Sequence, residues 1–350
     1  MSSDKDLPQS LLLTCLLRGL GYFVEVKVPL FVPSYEKEYR RVPASDIDVL
    51  GIRFDPTFAR HIAVGECKSG EHEALSEILK LEGIRSFLGA EKAYFVKERI
   101  HANAREVGRR LGIACFETGL LAEFAARLGL DVGEEVAREG YYLEARRAIE
   151  AKLGNHNSAL SYAETEFWSR EYWENIHNLI FLARGALAAG EAPLPKELQF
   201  LALRVSALLS VAVLTMCGAI MVSGIGDLGR AVELFLFGGP RERRQRERLL
   251  DELRKAAPRT RALPRDVNPP FTSDLTELVG YLLLSPREAS TTPTVFGSLL
   301  RAAALDDFGA MRLAGYDEVA LKLAKDVCHF VVASAGLAKP SAYLPDIFAL

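Results

Sequence analysis

The sequence predicts an α/β domain with a mixed central sheet flanked by helices, followed by an all-α region. Three observations lead there. Short apolar or alternating strands crowd the first 120 residues, and none is convincing after residue 132. The first three strands follow one another without a helix between them, which favours antiparallel pairing, whereas the later ones alternate with helices, which demands a crossover and parallel pairing. The rest of the chain carries helical apolar spacing broken by Gly and Pro, so it forms a separate helical layer set.

The elements follow in order. Residues 10–20 are Leu-rich and stop at Gly21, a short helix. Residues 22–28 (YFVEVKV) alternate apolar and charged side chains, a strand. Residues 29–42 hold two prolines and read as a loop or hairpin connection. Residues 46–54 (DIDVLGIRF) form a second strand, Asp55-Pro56 a turn, and 61–68 (HIAVGECK) a third strand ended by Ser69-Gly70. Residues 74–88 have helical spacing. Residues 93–96 and 113–116 are short buried strands, with a helix over 103–111 between them, and Thr118 caps a further helix through Leu128. Helices are then expected over 134–153, 164–188, 198–222, 230–237, 242–257, 273–284, 294–305 and 318–335, with a Pro- and Arg-containing connector at 258–270. The expected domains are 1–132 and 133–350, with a linker near 154–162.

Bulk properties narrow the function classes. A length of 350 residues suits about two domains. The hydrophobic share of 49% and charged share of 25% match a folded soluble protein. A net charge of −3 excludes a global basic field, so any nucleic-acid surface is local. The five cysteines are scattered with no CxxC pair, which excludes a zinc ribbon or disulfide framework and fits a reducing cytosol. The polar start, with Asp4 and Asp6, has no signal-peptide character, so a cytoplasmic location is expected. Residues 205–226 carry no charge and approach the length of a membrane span. Their Ser, Thr and Gly content favours the core of a helical domain instead.

The chemistry concentrates on the second and third strands. Period-two alternation puts Glu66 and Lys68 on one face and Cys67 on the other, and likewise puts Asp46 and Asp48 on one face. A short turn sets Asp48 beside Glu66. Charges inside apolar strands are costly unless paired or metal-bound, which is the reason to suspect function. The plainer alternative is a set of cross-strand ion pairs on a solvated face.

The run from Ser45 to Gly51 (SDIDVLG) followed by Ala63 to Gly70 (AVGECKSG) resembles the PD-(D/E)xK, restriction-endonuclease-like nuclease superfamily. It is closest in style to Holliday-junction resolvase-like and Mrr-like members, and the likeness covers roughly residues 8–130. The resemblance implies a restriction-endonuclease-like domain and a nuclease that hydrolyses phosphodiester bonds of DNA or RNA with Mg²⁺ or Mn²⁺. It implies Asp48 and Glu66 as metal ligands, Lys68 as the residue that positions water or stabilises charge, and Asp46 as an accessory acid. Many relatives add a carboxylate in the first helix. Residues 10–20 have none, and Glu25 on the next strand takes its place as the accessory candidate, which leaves a third ligand open. By analogy with bacterial antiviral effectors, the helical region senses, recruits or oligomerises. The competing expectation is a silent nuclease fold that serves as a nucleic-acid-binding or assembly subunit.

Weaker signals lie elsewhere. Lys80, one turn from Glu77, is a candidate to reach the site, against the plainer reading of a surface pair. From Arg241 to Arg265 ten basic residues face four acidic ones, which makes Arg241, Arg243, Arg244, Arg246 and Arg248 a candidate nucleic-acid contact or, equally, a solvated helix. Arg105, Arg109 and Arg110 read as surface charges, and Trp168, Tyr172 and Trp173 as core. No histidine has metal-ligand spacing, and no Walker loop, GxGxxG or kinase signature occurs.

Overall fold

The computed structural model describes residues 5–33, 41–70, 73–154, 158–187, 194–256, 267–307 and 315–337. The N-terminal part is a mixed five-stranded sheet with helices, and the C-terminal part is largely helical. Helix α1 (Leu7–Gly19) precedes strands β1 (Phe23–Pro33), β2 (Arg41–Phe54) and β3 (Arg60–Lys68). Then come α2 (Ala74–Leu88), β4 (Lys92–Lys97), α3 (Ala102–Leu111), β5 (Ala114–Glu117) and α4 (Thr118–Arg127). The strand order is β1-β2-β3-β4-β5. β1, β2 and β3 pair antiparallel, while β3, β4 and β5 pair parallel. This is the element order and the mixed pairing expected from the sequence.

Two apolar layers cover the sheet. One holds Val28, Leu30, Ile47, Leu50, Ile62, Val64 and Phe95 under α2 and α3. The other holds Val24, Val49, Ala63, Cys67 and Val96 under α1 and α4. α1 is apolar on nearly all sides because it is packed between the sheet, α4 and a further helix, α5 (Val132–Leu153). Each fully buried leucine there contributes roughly 1.5–3 kcal/mol of transfer free energy.

The structure lengthens the first hairpin. β1 continues through Pro33 and β2 begins at Arg41, where a loop was expected, and residues 34–40 lie outside the described residues. β1 is a sheet edge, where proline removes no ladder bond, so Pro29 and Pro33 do not end it. Thr118 opens α4 as its first residue and not as its cap, and its hydroxyl is buried without a hydrogen bond.

Contacts divide the chain into two compact units. The first is Met1–Asp55, Arg60–Ser169 and Pro293–Gly315; the second is Pro56–Ala59, Arg170–Thr292 and Tyr316–Leu350. α5 and α6 (Ser158–Thr165), placed by sequence with the helical region, therefore group with the sheet. Asp131 caps α5 through the amide of Glu134, and Glu139 of α5 pairs with Arg18 of α1 and Arg301. Of the expected linker, residues 155–157 lie outside the described residues.

The helix expected over 164–188 is broken. α6 ends at Thr165, a 3-10 turn covers Phe167–Ser169, and α7 (Tyr172–Leu187) starts afresh with the Glu174 carboxylate accepting the Glu171 amide. The second unit is organised on α8 (Lys196–Ser223), packed by α7, α9 (Leu228–Phe235), α11 (Thr272–Leu284) and α14 (Glu318–Ser334). α8 is long and apolar enough to cross a membrane, and 72% of its most apolar window is buried by neighbouring helices. Its hydroxyls close on its own carbonyls, Ser206 on Ala202, Ser210 on Ala207 and Thr215 on Val211, so they sit in an apolar setting without an unmet donor. α10 (Pro240–Ala256), α12 (Pro286–Ala289) and α13 (Thr292–Leu305) complete the described helices, and residues 257–266 of the expected connector lie outside the described residues.

Candidate active site

The site forms where β2 leaves β3. The last pair between them is Val49 with Gly65, and beyond it β3 pairs only with β4 on its other side. The side chain of Asp48 takes over the missing ladder partner, accepting the amide of Cys67 at 2.8 Å through Oδ2. Glu66 and Lys68 project to one face, with Cys67 packed in the opposite layer, as alternation requires.

One ammonium joins the two acids. Lys68 Nζ lies 2.6 Å from Glu66 Oε1 and 3.6 Å from Asp48 Oδ2. Lys80, reaching from α2, lies 3.4 Å from the same Glu66 oxygen. Asp48 is 2% exposed and Glu66 1%. Burial, and then the charge of Asp48, push the Glu66 carboxyl above its ordinary range, against the pull of Lys68 and Lys80. Burial draws the Lys68 ammonium down, but its hydrogen bond to Glu66 and the charge of Asp48 outweigh that and raise it. Cys67 is driven up by burial and by Asp48, so its thiol is inert packing.

Two residues that the sequence did not single out complete the cluster. Lys27 of β1 places Nζ 2.5 Å from Asp48 Oδ1, and its φ is +58°, rare for a side chain with a Cβ. Asp6 stands at the N-cap of α1 but bonds the Ser69 amide at 2.5 Å instead of capping its helix. Burial acts to raise the Asp6 carboxyl, yet the Ser69 hydrogen bonds and the charges of Lys68 and Lys27 leave it lowered. An acid before Leu7-Pro8 is a helix-start signal, which was the available hint for Asp6.

Other candidates lie apart. Asp46 does not share the face of Asp48. It is exposed, and its carboxylate makes no hydrogen bond or ion pair among the described residues. Val24 and Val28 pack in opposite layers, as do Ile47 and Val49, so alternation inverts around Lys27 and Asp48 and the even spacing of Asp46 and Asp48 loses its meaning. Glu25 is buried and pairs with Arg146 of α5 at 3.2 Å.

The five candidate arginines of α10 divide. Arg243 is buried and bonds the Glu233 carbonyl at 2.8 Å, with Glu233 and Glu247 as ion-pair partners. Arg246 lies 4.8 Å from the Trp173 ring centroid and 5.3 Å from that of Phe237. Arg241, Arg244 and Arg248 share an exposed face. Arg105 pairs with Glu117, and Arg109 and Arg110 with Glu106.

The donor chemistry suits a hard divalent cation. Mg²⁺ is commonly held by one or two carboxylates, the remaining positions going to water and phosphate. Asp48 and Glu66 supply two buried carboxylates that repel each other, and a cation relieves that repulsion. Among the described residues no group of three or more His, Cys, Asp or Glu is placed to hold a metal ion. Comparison of the chain with family models, with curated proteins and with solved structures finds no match.

Proposed function

We propose that this chain is a metal-dependent nuclease whose first unit is restriction-endonuclease-like and hydrolyses phosphodiester bonds at Asp48, Glu66 and Lys68. The observation that carries the reading is a lysine in contact with two almost fully buried carboxylates at the point where two strands part. Burying such charges costs several kcal/mol per ion, more than an ordinary structural ion pair repays. Asp48 and Glu66 would hold Mg²⁺ or Mn²⁺. When bound, that ion polarises the phosphate and lowers the pKa of a water. Lys68 supplies a fixed positive charge where negative charge grows on the phosphate oxygens. Lys27 and Lys80 hold Asp48 and Glu66 in place through ion pairs. The helical remainder would recruit, sense or oligomerise, as in defence effectors of similar layout.

A second reading has its own support. Lys27, Lys68 and Lys80 together already balance the two acids, as a self-sufficient ion cluster would. On that reading the fold binds nucleic acid or assembles with a partner without cleaving.

The test is incubation of the full chain with supercoiled plasmid, linear duplex, single-stranded DNA and RNA, under Mg²⁺, Mn²⁺ or EDTA. Cleavage in either metal and none in EDTA supports the nuclease. Binding without cleavage under every condition supports the silent fold.

A further inference from the structure

The carboxyl ends of β3 and β4 open onto a second feature of the first unit. A cavity of about 810 Å³ lies between the start of α2 and the start of α3, lined among others by Glu73, Lys97, Glu98, Arg99, His101 and Asn103. Lys97 ends β4 in register with Lys68 on β3. Neighbouring strands run about 4.8 Å apart, so the cavity begins one strand away from the lysine placed at the reacting phosphate. Lys97 is only 7% exposed, whereas Glu98, Arg99, His101 and Asn103 are exposed.

Size and lining select the ligand. Small-molecule sites span roughly 300–1,000 Å³, which admits a nucleotide. The crevice outside the carboxyl ends of parallel strands is also where open α/β sheets bind ligands. Lys97 and Arg99 match a phosphate, Arg99 through two parallel donors. A bare phosphate is a poor fit, because Glu73 and Glu98 repel it. Those carboxylates instead accept from the exocyclic amino groups of adenine, cytosine or guanine, and the His101 ring offers a stacking face. A nucleotide uses both halves of this lining; a base inside a duplex has both faces covered by its stacked neighbours and cannot meet the His101 ring.

We propose that the cavity holds one unstacked nucleotide of the substrate strand, beside the phosphate at Lys68. The substrate is then single-stranded or carries an extrahelical nucleotide. The inference rests on the nuclease reading and goes further by assigning strandedness.

The experiment uses the full chain carrying Asp48→Asn, so that binding is read without cleavage. Fluorescein-labelled oligonucleotides of one sequence are titrated by anisotropy as single strand, blunt duplex and duplex with a single bulged nucleotide. Single strand and bulged duplex are expected to bind at least about tenfold tighter than blunt duplex. Adding Arg99→Glu is expected to erase that preference, and Arg99→Ala to flatten the salt dependence by about one phosphate contact. Lys97→Met is a companion variant; because Lys97 is buried and its loss can unfold the domain, the exposed Arg99 carries the test. Equal affinity for blunt duplex and single strand, or a preference untouched by Arg99→Glu, overturns the inference and leaves the nuclease reading standing. No binding to any of the three overturns both.

Discussion

Lys27 and Asp48 face each other across the β1–β2 ladder, between the pairs Val26 with Val49 and Val28 with Ile47, and the lysine ammonium sits 2.5 Å from Asp48 Oδ1. The contact comes at a backbone cost, because Lys27 holds φ at +58°. For a residue with a Cβ that conformation costs roughly 1–2 kcal/mol. Ammonium and backbone are therefore separable. Lys27→Gly and Lys27→Ala both remove the charge from Asp48, but only glycine relieves the backbone. Chemical denaturation is expected to find Lys27→Gly more stable than Lys27→Ala by about 1 kcal/mol. Equal stabilities would show that the left-handed backbone carries no strain.

Gly65 sets how closely α1 lies on β3. A Cβ at Gly65 would come within 2.2 Å of Leu13 Cδ2, and Leu13 is fully buried. Gly65→Ala is expected to destabilise by about 1–3 kcal/mol through overpacking. Leu13→Ala alone leaves a cavity and costs about 2–5 kcal/mol. The double variant is expected to lose clearly less than the sum of the two, because each change makes room for the other. Additive losses in a denaturation cycle would place the clash elsewhere.

His177 supplies a pH dependence in the second unit. Its ring lies between Phe237 and Phe271, with centroids 5.5 and 5.9 Å away, and one ring nitrogen contacts the Leu236 carbonyl at 3.0 Å. Burial lowers its pKa, and nearby Arg246 adds to that, against the raising effect of the carbonyl. The unfolded chain therefore takes up a proton before the folded one does. The stability that His177 contributes is complete above about 6.5, the ordinary imidazole value, and is lost as pH falls from there through the lowered folded value. Thermal unfolding from pH 7.5 to 5.5 is expected to show a falling midpoint, with a shallower fall in His177→Gln. An identical slope in the variant would remove His177 as the cause.

The parts of the site that follow a strand period were legible in the sequence. Glu66, Cys67 and Lys68 obey strict alternation on β3, and charges between apolar neighbours marked them. Asp46 shows where that logic stops. Its even spacing from Asp48 predicts a shared face, yet the alternation inverts at Lys27 and Asp48, an event driven by one backbone dihedral that no pattern of side chains announces. Lys27 itself looks like the solvent side of an alternating strand. Asp6 was hidden for another reason, since its partner Ser69 is 63 residues away. α5 groups with the sheet through Glu139, whose carboxylate is buried against Arg18 and Arg301, long-range contacts that helical spacing alone does not announce.

The central claim is that Asp48, Glu66 and Lys68 act together on a phosphodiester. The direct measurement is the cleavage rate of the full chain under Mg²⁺ or Mn²⁺ for the wild type, Asp48→Asn and Lys68→Met, on whichever nucleic acid the wild type cuts. Circular dichroism should confirm that both variants fold. Removing one charge-stabilising group typically costs about 10²–10³-fold in rate, so each variant is expected to fall by at least about a hundredfold. Metal-dependent cleavage that persists at the wild-type rate in both folded variants would contradict the account.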